Sequence, residues 1–334
     1  MTDQLSLFGG APARTQQAPV AAAPVPPATR ELAGRRPAGL YLGTSSWSFP
    51  GWDGLVWDGR VSERTLSKHG LSAYAAHPLL NAVGLDRTHY APMRAPALQA
   101  YADQVPGTFR FLMKAHDAIT LRVFPKHARY GARAGQENPH YLDADYALDE
   151  VLGPAAEGLG DKLFVVLFQF APQSVRGADA AKRFAEELSA FFTRLPRQMN
   201  CAVEVRNSEL LTDDYRDALQ DAGVLHCLSS LPQMPSLREQ ARLLRKEQPD
   251  PVIIRWMLNP RYRYQEAYQA YHPFREVVDI EQEMRAEVAM LTRRALSKGR
   301  KVMVIANNKA EGCAPKSLEG ILQTLLSMPE EASP

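Results

Sequence analysis

The first chemistry in this chain is charge inside apolar runs. "CAVEVRN" (201–207) carries Glu204 and Arg206, "VIIRWM" (252–257) carries Arg255, and "FRFLMKAH" (109–116) ends on Lys114 and His116. A charge in such a run is costly to bury unless it is paired or used. A carboxylate among cations has a lowered pKa and serves as a base or as an orienter of anions. Glu204, Lys114, Arg206 and Arg255 are therefore the candidate catalytic group. Without catalysis, Lys114, Arg206, Arg255 and Lys309 would bind an anion such as phosphate, with Asn307 and Asn308 hydrogen-bonding to it. Asp86, His89, His116, Glu204 and His226 are ligand types for zinc or manganese. They would have to converge from four strands, and no metal or cofactor is assigned. No nucleophile is marked: Ser45 and Ser46 have no His base nearby in sequence, and Cys201 begins a strand.

These residues need a scaffold that brings distant segments together. Eight β-like runs occur, at 39–46, 82–90, 109–116, 163–170, 201–207, 224–230, 252–257 and 302–308. They are nearly continuous in apolar residues, as strands covered on both faces should be. Helical patterns lie between them, at 177–195, 212–223, 279–299 and 317–328. Eight strands with intervening helices in about 290 residues predict a single (β/α)8 barrel of the TIM type. A doubly wound open sheet is the alternative, weakened by the absence of GxGxxG or Walker A sequences after any strand. In a barrel the working face lies at the C-terminal strand ends. Thr44, Ser45, Trp47, Trp52, Tyr90, Gln169, Asn307, Asn308 and Lys309 are the candidate substrate-binding residues there.

Composition sets the outer limits. The chain has 334 residues, 45% hydrophobic and 23% charged, with net charge +2. That balance gives no global basic field, so any nucleic-acid signal must be local. Three widely spaced cysteines argue against a disulfide framework. No secretory leader or membrane-length apolar stretch is evident, so a cytoplasmic protein is expected. Residues 1–38 are rich in Ala, Pro, Gly and Gln and are expected to form a disordered arm. The barrel is expected over 39–328, with 329–334 disordered. Two loops carry local signals for a polyanion. Residues 110–133 hold six Lys and Arg against Asp117, and "NPRYRYQEAYQAYHPF" (259–274) interleaves Arg261 and Arg263 with tyrosines. Cations on phosphates and rings on bases would suit a nucleic-acid strand. Tyr-rich loops also suit sugars.

Several segments together resemble the domain of unknown function 72 family, also called YecE-like. They are "LGTSSWSFPGW" (42–52), "THYAPM" (88–93), "FRFLMKAHDAIT" (109–120), "FQFAPQ" (168–173), "VEVRNSEL" (203–210) and "VMVIANNKAEGCAP" (302–315). The resemblance runs in order over residues 40–325 and implies a TIM-type barrel. Its barrel type is similar to that of endonuclease IV-like nucleases, an analogy of fold alone. Three departures stand out. Gly84 occupies the place of the family's strand 2 acid, unless Asp86 substitutes. Lys309 replaces the Asp of its Asn-Asn-Asp, and Trp256-Met257 replaces a His-Gly.

Gln4-Leu5-Ser6-Leu7-Phe8 resembles the pentapeptide by which bacterial polymerases and repair proteins dock on the replication sliding clamp. Leu7 and Phe8 would fill an apolar pocket, Leu5 would assist, and Gln4 would set register. A flexible arm of some thirty residues would span roughly 30 Å. The expected function is therefore a DNA-associated barrel, recruited to the clamp, binding nucleic acid or nucleotide phosphate and hydrolysing phosphodiesters if it is catalytic. The alternative is an enzyme for a small anionic or sugar-like metabolite.

Overall fold

Every one of the eight apolar runs becomes a strand. In the computed structural model, which describes residues 19–173, 177, 179–243 and 250–329, they are β1 (Leu40–Thr44), β2 (Ala82–Leu85), β3 (Arg110–Lys114), β4 (Leu163–Gln169), β5 (Cys201–Glu204), β6 (Leu225–Ser230), β7 (Val252–Trp256) and β8 (Val302–Ala306). All pair in parallel, and β8 returns to β1 in register from Leu40 opposite Val302 to Thr44 opposite Ala306. The sheet is thus a closed barrel with no edge strand.

Side chains alternate between the two faces of each strand. One buried cluster takes Tyr41, Ala82, Leu112, Leu167, Ala202, Cys227, Ile253 and Ile305 from the eight strands in turn, and these fill the barrel interior. The opposite phase packs outward under the helices: Leu42, Val83, Phe111, Val166, Val203, Leu228, Ile254 and Val304. Both faces are dry, which explains the unbroken apolar runs. The close wall has a cost in side-chain volume. A Cβ at Gly43 would collide with the Ala82 carbonyl, so β1 and β2 need glycine at that crossing.

The four expected helices form, three with trimmed ends, as Ala180–Phe192, Asp213–Ala222 and Gln282–Leu296, and the last, Ala314–Ser327, starting three residues earlier than expected. Thr212 caps the second through its side chain, which accepts from Tyr215 N–H, and Gly223 ends it at φ 70°. Among the described residues no helix is long and apolar enough to cross a membrane.

The expected disordered arm over 1–38 is corrected for residues 19–38. Pro27–Gly34 is a helix, with proline in its first turn where no N–H is needed. Val20, Leu32 and Ala33 pack this segment against the barrel's outer core, and polar contacts tie it down further. Ala23 N–H donates to the Val56 carbonyl at 3.0 Å. Thr29 donates to Glu319 at 2.9 Å, and Arg36 donates to the carbonyls of Pro78 and Leu79 at 3.1 and 3.0 Å. Residues 4–8 lie outside the described residues, as do 330–334.

Candidate functional site

The alternation of side chains decides which strand-end residues face the mouth. The interior phase runs through Ser45, Asp86, Lys114, Gln169, Glu204, Arg255 and Asn307. Arg206 and Lys309 continue it past the ends of β5 and β8. Thr44 and Asn308 have the opposite phase.

At the centre lies a buried charge network. Glu204 is 0% exposed and Arg255 is 1% exposed, and they form a direct ion pair. Arg206 reaches the other Glu204 oxygen at 3.2 Å. The Gln169 carbonyl oxygen accepts from Arg206 at 2.8 Å and from Arg255 at 3.3 Å. Beside them Lys114 pairs with Asp86 at 2.9 Å. Burial alone would raise the Glu204 pKa. Arg255, Arg206 and Lys114 outweigh it and hold the carboxyl at about 2. Burial pushes the Lys114 ammonium below its ordinary range, against the pull of Asp86.

Above this network stands Lys309. Its ammonium sits 4.2 Å from the Tyr264 ring centre, with Phe274 and Tyr268 at 5.7 and 5.8 Å. Among the described residues it forms no ion pair within 4.0 Å. Burial lowers its pKa, and Asp86 opposes the shift. Tyr264 is 64% exposed and Tyr90 61%, so both rings line the open side. The Arg129 guanidinium lies over Tyr90 and pairs with the buried Asp117, which also accepts from Tyr130 at 2.8 Å.

The candidate residues divide accordingly. Lys114, Arg206, Arg255, Glu204, Gln169, Ser45, Asn307 and Lys309 are brought together, and Tyr90 stands at the rim. The others serve the framework. Thr44 bonds Tyr74 and the Ser46 carbonyl. Trp47 donates to the Leu66 carbonyl at 3.0 Å. Trp52 is fully buried and stacked on Trp57 and Tyr74. Asn308 accepts from Ala314 N–H, satisfying a free donor at the start of the last helix.

Asp86 stands in the sequence only as a metal-ligand type and as a possible substitute for the strand 2 acid, not among the catalytic or substrate-binding candidates, although its spacing from Ala82 already puts it on the interior phase. It is the inward carboxylate of this strand end. A Cβ at Gly84 would lie 2.9 Å from the Ser45 carbonyl oxygen, so no acid fits at that position without movement of β1. His226 faces outward, between the Tyr215 hydroxyl and Gln240, and His116 bonds Tyr146. Among the described residues no group of three or more His, Cys, Asp or Glu is placed to hold a metal ion.

The two basic loops are only partly available. Arg110 starts β3 and so lies at the opposite end of the barrel. Arg122 pairs with Glu187, and Arg261 with Glu281 at 3.1 Å. Tyr262 and Tyr271 both donate to Asp279.

Comparison with known proteins agrees with this architecture. No curated protein matches the chain. A DUF72 family protein from Enterococcus faecalis is 18% identical over 88% of this chain and 98% of its own, with a TM-score of 0.58. One from Thermotoga maritima is 18% identical over 86% of this chain and 99% of its own, with a TM-score of 0.54. The model for the "protein of unknown function DUF72" family matches residues 41–333, and the chain belongs to that family.

Proposed function

We propose that the barrel mouth binds the phosphate of nucleic acid or of a nucleotide, and that residues 4–8 recruit the chain to a bacterial sliding clamp. The observation that carries the first part is the charge balance. Among the described residues Lys114, Arg206, Arg255 and Lys309 meet only Asp86 and Glu204, leaving an excess of two positive charges. Among the described residues Lys309 is the one of these four cations without a carboxylate partner. Two buried atoms add to the polar demand: Arg255 Nε and Ser229 Oγ, on neighbouring strands in register, have no hydrogen-bond partner among the described residues.

Glu204 is a positioning residue in this reading. A fully buried carboxylate held near pKa 2 by two guanidinium groups is a poor proton acceptor at neutral pH. It orients Arg206 and Arg255. Any hydrolysis would draw on Asp86, whose side chain is 31% exposed beside Lys114.

Binding of a labelled single-stranded 12-mer, followed by fluorescence anisotropy, tests the mouth. With about three phosphates neutralised, affinity should fall roughly 20-fold between 50 and 200 mM salt. A flat response, or no binding, would instead favour a small anionic or sugar-like metabolite.

Recruitment is supported by the pentapeptide and by where residues 21 and 22 are held. Ala22 bridges to Trp57, and Asp58 N–H donates to the Ala21 carbonyl at 3.0 Å. These partners belong to the loop after β1, on the mouth side. Residues 9–20 separate Phe8 from this anchor. A clamp partner would therefore be held on the face that carries the cations. The full chain is expected to bind a bacterial sliding clamp with micromolar affinity, and changing Leu7 and Phe8 to Ala should weaken it at least tenfold. Equal binding by the two forms would remove the pentapeptide from the interaction.

A further inference from the structure

Beside the Lys309 cage lies a cavity of about 490 Å³, within the range of small-molecule sites. It sits between the loop after β1 and the turn that follows the helix Tyr264–Tyr271. Its walls are rings: Phe49, Tyr268, His272 and Phe274. Phe274 is pinned edge-on against Phe49, Tyr268 and His272, with centroids 5.4 to 5.8 Å apart. It adopts φ 67°, a left-handed backbone that a bulky residue takes only where its surroundings impose it. The two loops press together so closely that a Cβ at Gly51 would collide with the Pro273 carbonyl. The cavity is therefore bounded by a fixed turn.

Its polar groups are mixed. Asp53 and Glu63 offer acceptors, while Arg60 and Arg275 offer donors. Asp53 and Arg275 already stand 4.0 Å apart. Equal numbers of acids and bases give no net attraction for an anion. They suit a neutral planar group with donors and acceptors along its edge. Tyr268 and Phe274 belong both to this cavity and to the cage around Lys309. An anion at Lys309 and a ring in the cavity would thus be adjacent parts of one ligand.

We infer that this cavity is a nucleobase pocket, taking the base of a nucleotide whose phosphate sits at the barrel mouth. The inference rests on the phosphate reading of that mouth. The rings stack on the base faces, and the acids and guanidinium groups meet its edge. Single-stranded nucleic acid would present such a base at an end or in an unstacked stretch.

Calorimetric titration separates the two claims. The probes are the four nucleoside 5′-monophosphates, ribose 5-phosphate and adenosine. At least one monophosphate should bind tenfold or more tighter than ribose 5-phosphate. Val61→Trp, which fills the cavity from a half-buried position, and His272→Ala, at an exposed wall residue, should each erase that advantage and leave ribose 5-phosphate binding unchanged. If all monophosphates match ribose 5-phosphate, the pocket is refuted and the phosphate site stands. If neither kind of phosphate binds, the phosphate site is refuted. Adenosine then decides the cavity: binding blocked by Val61→Trp keeps it as a base pocket, and no binding removes it.

Discussion

Arg255→Ala should lower the melting temperature by roughly 5–10 °C, the largest loss expected from any single truncation in the mouth. The substitution leaves the fully buried Glu204 carboxylate with one guanidinium, Arg206, at 3.2 Å. Breaking a buried pair from one side costs about 3–5 kcal/mol, because the remaining charge keeps its desolvation penalty. The depressed Glu204 pKa is a separate quantity, the net of burial against Arg255, Arg206 and Lys114 together. A fall from 4.5 to about 2 corresponds to about 3 kcal/mol of stabilisation of the ionised form. A depressed carboxylate contributes stability above its unfolded pKa and loses it as pH falls through the folded value. The native chain should therefore lose this contribution between pH 4.5 and 2. In Arg255→Ala one of the three cations is gone and burial weighs more heavily, so the gap to the native chain should narrow on acidification. Combining Arg255→Met with Glu204→Gln should recover more than half of the lost stability, since both charges then leave together. Thermal denaturation of the native chain, Arg255→Ala and the double variant at pH 7 and pH 4 decides it. A single variant that melts within 1 °C of the native chain at both pH values would show the pair to be energetically idle.

The same pair shows how far the sequence can be read. Glu204 and Arg255 stand out because each is a lone charge in a run that must be buried on both faces. Their membership of one charged group with Lys114 and Arg206 was legible without coordinates, but not which of the cations pairs with Glu204. Eight such runs sufficed for the barrel, since their spacing leaves room for a helix after each strand. The side-chain phase was also legible in principle. Counting by twos from Ala82 reaches Asp86, and counting by twos from Met303 reaches Asn307 and Lys309. That count separates the mouth from Thr44 and Asn308, which the residue types alone had grouped with it. Trp47 and Trp52 misled because an aromatic after a strand suits both a ligand platform and a packed loop. Three-dimensional stacking of Trp52 on Trp57 and Tyr74 makes it the latter. The helix at 27–34 escaped notice because what holds it is distant in sequence: Thr29 bonds Glu319, and Leu32 and Ala33 pack on the barrel's outer core. The cage around Lys309 is of the same kind: its rings come from 264 to 274, and no local pattern brings them to β8.

Lys309→Met should weaken phosphate binding roughly hundredfold, and Lys309→Asp should make it undetectable. A unit charge about 5 Å from an anion contributes about 3 kcal/mol at an effective dielectric of 20, which is a factor of about one hundred. Methionine keeps an unbranched stem against Tyr264, Tyr268 and Phe274, so packing is largely preserved and melting should change little. Aspartate restores the acid expected at this position from the family resemblance and turns the excess of two positive charges into a neutral mouth. Alkaline pH provides an independent check. Burial lowers the Lys309 pKa, so its ammonium is lost at lower pH than that of an ordinary lysine. Phosphate affinity in the native chain should fall as pH rises through that value, and a bound anion should shift the fall upward by favouring the charged form. In Lys309→Met the part of the alkaline fall due to this ammonium should disappear, while Lys114, also lowered by burial, keeps its own. Titration with inorganic phosphate and ribose 5-phosphate across neutral and alkaline pH measures all of this. Equal affinity in the native and Lys309→Met proteins would show that the caged ammonium holds the tyrosines and not the ligand. The positive excess would then have to act through Arg206, the guanidinium of the Glu204 network with the more exposed side chain.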